Sequence, residues 1–130
     1  MTIAEEFIRY LLGPIRSNIK PLALAVDLTI ELLYVDQDAD GDIHVTRDVY
    51  PVVARMLGKT EQSVAKAVER LAAYCWNALD DELMMQIIGK HLHDRPAPRE
   101  ILFYLAYYIH HRNPFYASGL NELFASSIAF

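Results

Sequence analysis

From Val49 to Cys75 apolar residues recur every third or fourth position, interrupted near the start by a single glycine, Gly58. Val49, Val53, Met56 and Leu57 form one stripe before it, and Val64, Ala67, Val68, Leu71 and Cys75 a second after it. Stripes of that period call for two amphipathic helices, and Gly58-Lys59-Thr60 leaves room only for a tight turn between them. Thr46 is expected to cap the first helix, Gly58 to end it and Thr60 to cap the second. A chain built around such a pair is expected to be all-α.

The rest of the sequence agrees, because no segment shows sustained apolar-polar alternation. A first helix is expected over Ile3 to Leu12, closed by Gly13 and Pro14. A second runs from about Asn18 to Val35, with Pro21 in its first turn and Leu22, Val26, Thr29, Ile30 and Leu33 on one stripe. Asp80 or Asp81 starts "DELMMQIIG", which stops at Gly89, and "HDRPAPRE" reads as a proline-punctuated loop. The last long helix is "REILFYLAYYIHHR", followed by a C-terminal extension from Asn113 to Phe130. Six helices in one domain of 130 residues is the expected architecture.

Ala54, Gly58 and Val64 also stand four and six residues apart, the spacing of a helix-turn-helix over residues 46–77. A small residue there lets the second helix cross closely, and an aliphatic one locks it in place. Around this unit five basic residues (Arg47, Arg55, Lys59, Lys66, Arg70) face three acids (Asp48, Glu61, Glu69), although the whole chain carries −5. That overall charge argues against indiscriminate coating of nucleic acid or anionic membrane, but not against a local basic face. Gln62, Lys66 and Arg70 could reach base edges in a major groove. Arg47, Lys59 and the helix N-terminus could hold phosphates, and Thr60 and Ser63 face outward beside them as further DNA-binding candidates.

The run "VTRDVYPVVARMLGKTEQSVAKAVERLAAYCW" resembles the C-terminal DNA-binding domain of the sporulation initiation response regulators of endospore-forming bacteria. Thr46-Arg47, Tyr50-Pro51, Ala54, Thr60, the Val64, Ala67, Val68 ladder and Trp76 carry the likeness. Weaker similarity extends through "NIKPLALAVDLTIEL" before it and "IIGK" and "RPAPREIL" after it, covering roughly residues 14 to 105. The resemblance implies a six-helix trans-activation fold, a fourth helix in the major groove, and head-to-tail pairs on double-stranded DNA. The chain departs from it at Ala65, Lys66 and Glu69, where the family carries a glutamate and two arginines. Lys66 keeps a charge without bidentate guanine geometry, and Glu69 would be repelled by phosphate. These residues hold no receiver domain, so a transcription regulator acting without one is the first expectation. A protein-protein interaction module that kept the scaffold and lost DNA is the second.

Residues 36 to 47, "DQDADGDIHVTR", imitate a calcium loop. With Asp36 at position 1, Asp38, Asp40, Gly41 and Asp42 fall on positions 3, 5, 6 and 7, and Ile43 on position 8. Position 12 demands a bidentate glutamate, and Arg47 stands there instead, so an acidic turn without tight calcium binding is expected. Asp42 or His44 could help cap the helix that follows. His91, His93, His110 and His111 lack a third ligand in metal spacing and read as surface or helix-end histidines. Cys75 reads as a packed small hydrophobe, and no catalytic constellation, cofactor motif or small-molecule site stands out. An enzyme is not expected. The run Ile101 to Ile109 is too short to span a bilayer, and with an acidic start and one cysteine the cytoplasm is the expected location. "ILFYLAYYI" is apolar on nearly all sides, which predicts deep burial or a partner surface and, with the extension, a homodimer.

Overall fold

A computed structural model describes residues 2–35 and 43–116, and these form an all-α unit with no strand among them. The calcium-like positions Asp36 to Asp42 and the extension beyond Tyr116 lie outside the described residues.

Helix α1 (Ile3–Leu12) has the expected bounds. The Thr2 hydroxyl accepts the Glu5 N–H at 3.1 Å, and Gly13, at φ 68°, closes the other end by donating its N–H to the Arg9 carbonyl. The second helix is shorter than its stripe suggests. Regular geometry in α2 runs from Lys20 to Ile30, and Glu31–Val35 follows as a wider π turn. Helix α2 is the hub of the core, packing against α1 and against α3 (Tyr50–Leu57), α4 (Glu61–Ala78) and α6 (Pro98–His111). Accordingly Leu22, Ala23, Ala25 and Val26 are all fully buried. Thr29 is the one buried polar side chain among the described residues, and its hydroxyl donates to the Ala25 carbonyl at 2.7 Å. That bond removes the cost of an unpaired hydroxyl in the core.

Thr46 does not cap the third helix. The chain turns helical one residue earlier, as a π turn over Val45–Val49, and His44 occupies the cap position without a side-chain capping bond. Asp48 reaches back instead, its carboxylate accepting the His44 N–H at 2.9 Å. Pro51 supplies a reason for the wide turn. A proline ring inside a helix collides with the carbonyl four residues earlier, here that of Arg47, and Pro51 has no N–H to donate to it. In the wider turn the Tyr50 N–H donates to the Val45 carbonyl, five residues back. Helix α3 proper then has Pro51 in its first turn.

The remaining elements follow local signals. Asp80 caps α5 (Asp81–Ile87), accepting the Leu83 N–H at 2.8 Å. Helix α6 buries Ile101, Leu102, Leu105, Ala106 and Ile109. Phe103, Tyr104, Tyr107 and Tyr108 on its other sides are only half-buried, so this helix is covered by the domain on one side and not all round. No helix among the described residues is long and apolar enough to cross a membrane.

Candidate nucleic-acid interface

The geometry of α3 and α4 depends on how the chain passes Gly58. This residue sits in the left-handed region at φ 65°, ψ 37°. The Lys59 N–H donates to the Ala54 carbonyl at 2.9 Å and the Gly58 N–H to the Arg55 carbonyl at 3.3 Å, a Schellman closure. The chain then extends at Thr60, whose hydroxyl accepts the Ser63 N–H at 3.0 Å and starts α4. Ala54, 4% exposed, and Val64, 1% exposed, form the seam between the two helices, together with fully buried Val53 and Val68. Met56, expected to face inward, is 61% exposed. Buried Tyr50, Val53 and Ala54 set the inner side of a helix only two turns long, and its last turn points Met56 to solvent. Ala67 is likewise only half-buried.

The outer side of α4 carries Gln62, Ser63, Lys66 and Arg70, all exposed. Lys66 and Arg70 are one turn apart and Gln62 one turn before, so the three share a stripe. Lys59 and Thr60 stand exposed at the head of that stripe, in the turn. Among the described residues no salt bridge joins Lys59, Lys66 or Arg70 to an acid. The Thr60 hydroxyl is engaged as a cap acceptor and still has its proton to donate.

Arg47 stands off α4, ahead of α3. It lies in the π turn, and its guanidinium holds Asp48 at 2.9 and 3.0 Å. The bond from Arg47, then the one from the His44 backbone, lowers the Asp48 carboxyl to about 2. Arg47 instead lines a cleft with Tyr50, Glu69 and Arg99, at the start of α6. Burial raises the Tyr50 phenol above its ordinary value, and the nearby Glu69 charge adds to the shift. Glu69 therefore bears on this cleft as well as on the outer side of α4. Sequence reasoning missed the association of Tyr50, Glu69 and Arg99, because these residues come from three separate parts of the chain.

The other groups singled out in the sequence lie away from α4's exposed stripe. Cys75 is buried, and desolvation pushes its thiol up to about 12, where it is no nucleophile. His91 approaches Asp81 at 3.5 Å, and the His91 and His93 rings meet edge to face. At the end of α6, His110 stacks on Tyr34 at 4.8 Å and His111 on Tyr107 at 4.0 Å. Beside them Leu33, Tyr34, Phe103, Tyr104, Tyr107 and Phe115 line an apolar groove of about 370 Å³. No family model matches this chain, and none of the curated proteins or solved structures matches it either.

Proposed function

We propose that this chain is a DNA-binding transcription regulator, with α3 and α4 acting as a helix-turn-helix and α4 entering the major groove of duplex DNA. The observation that carries the reading is the exposed Gln62, Lys66, Arg70 stripe, its cations unpaired among the described residues, on a helix locked to its neighbour by the Gly58 turn. A stripe of that composition can address base edges, while Lys59 and the start of α4 are placed to meet phosphates. The likeness of residues 45–76 to the effector domains of sporulation initiation regulators supports the same role and implies binding as head-to-tail pairs.

The test is a selection against random duplex DNA at a stated salt concentration, followed by titration of the selected site. Lys66→Ala and Arg70→Ala should each cost about 1–3 kcal/mol and relax sequence preference if the two residues read bases. Lys59→Ala should weaken all sequences alike and flatten the salt dependence. Glu69→Arg restores the family's charge and should tighten binding. If neither the native chain nor Glu69→Arg shifts any duplex at low salt, the DNA reading fails.

A protein-interaction module is the second reading, favoured by the aromatic groove beside α6. Self-association through the Glu100–His111 part of α6 or the extension after Asn113 belongs to either reading. Light scattering that gives a clean monomer at high micromolar concentration would remove it.

A further inference from the structure

Three parts of the chain far apart in sequence meet in one open cleft of about 640 Å³: Ile43–Arg47 with Tyr50, Glu69 on α4, and Ala97–Arg99 at the start of α6. The volume is that of a small-molecule site. Two independent observations indicate what such a molecule would carry.

The first concerns Tyr50. Its side chain is 6% exposed, yet no described group hydrogen-bonds its hydroxyl. No fully buried side-chain polar atom among the described residues lacks a partner, so the hydroxyl is the part of Tyr50 that the cleft reaches. The buried ring holds this phenol in place, and its hydroxyl, open to the cleft, is a positioned donor available to a ligand's acceptor. The second concerns α6. Ala97 caps this 14-residue helix without a side-chain bond, and Pro98 has no N–H. The Arg99 amide is therefore the first donor of the helix, and no described group accepts it. The Arg99 guanidinium also lacks an ion pair among the described residues. Val45 and Pro98 add apolar wall beside these donors.

We propose that this cleft binds a small organic acid with one oxyanion group on a short apolar body. The oxyanion, a carboxylate or a phosphate monoester, is held by Arg99 and the first amide of α6, and Tyr50 donates its hydroxyl to the ligand. Glu69 lines the same cleft, and its charge disfavours a second anionic group near Tyr50. The proposal does not depend on DNA binding.

Benzoate and phenyl phosphate serve as probes of the two oxyanions, benzamide as the neutral counterpart, and inorganic phosphate as the bare ion. Each is titrated into the full chain while backbone amide resonances are followed by NMR. Saturable shifts of the Arg99, Val45 and Thr46 amides are expected with one or both aromatic acids, and much smaller ones with benzamide and inorganic phosphate. Tyr50→Phe keeps the buried ring and should weaken binding about tenfold, and exposed Arg99→Gln should weaken it at least as much. Four results overturn the proposal. One is no saturable shift with either acid up to roughly 10 mM. Another is equal response to benzamide or to inorganic phosphate. A third is native affinity in both variants. The fourth is a short DNA duplex moving the same amides and displacing the acid, which assigns the cleft to the nucleic acid.

Discussion

Gly58→Ala tests the turn that sets α4 against α3. The position has φ 65° and ψ 37°, a left-handed conformation. A Cβ added there would meet nothing within 4 Å, so the cost of the substitution is conformational and not steric. Holding an L-residue in that region costs roughly 1–2 kcal/mol. Loss of glycine's freedom in the unfolded chain returns about 0.4–1 kcal/mol. A net destabilisation of about 1 kcal/mol follows, equivalent to a fall in Tm of roughly 3–5 °C for a domain of this size. Asparagine tolerates the left-handed region better than alanine, so Gly58→Asn should recover part of the loss. Urea unfolding followed by far-UV circular dichroism measures both variants against the native chain. An alanine variant as stable as the native protein, or an asparagine variant worse than alanine, would refute the reasoning. Either result would mean that the Ala54–Lys59 closure does not hold the chain in this conformation.

Thr60→Ala removes the acceptor of the Ser63 N–H and should cost about 1 kcal/mol by the same unfolding assay, with Thr60→Ser close to native. Asp48, held at about 2 in the folded chain against 3.8 ordinarily, contributes stability that is fully present above about pH 4. That contribution should fade as pH falls toward 2, and Asp48→Asn should flatten the acid limb of the stability curve. Cys75, with its thiol pushed up to about 12 and its side chain 1% exposed, should resist a thiol reagent at neutral pH and react at the rate of global opening. Fast stoichiometric labelling of the native chain would contradict that burial. Calcium titration calorimetry should show no micromolar affinity, because Arg47 stands where the metal needs a bidentate carboxylate.

Features of the fold that depend on a few neighbouring residues were legible in the sequence. Thr60 and Asp80 each cap a helix, and Gly13 and Gly58 close two, because a cap or a left-handed stop is decided by hydrogen bonds and dihedrals within about one turn. Val64, Val68, Leu71 and Cys75 are buried as their spacing required, since a stripe of that period has one side to hide. The exposed stripe Gln62, Lys66, Arg70 follows from the same periodicity on the opposite side of α4. Other features were settled by packing. Thr46 lost the cap to His44 because the turn ahead of Pro51 is π and begins one residue earlier. Met56 continues an apolar stripe in sequence, but the two-turn α3 buries only Tyr50, Val53 and Ala54. The run Ile101 to Ile109 is apolar all round, and only the neighbours of α6 determined which side became core and which became an aromatic groove. Tyr50, Glu69 and Arg99 were joined in one cleft by the docking of α6 beside α4. Periodicity places a residue on its own helix, whereas a cleft is a relation between helices tens of residues apart, and only the packed tertiary structure creates it.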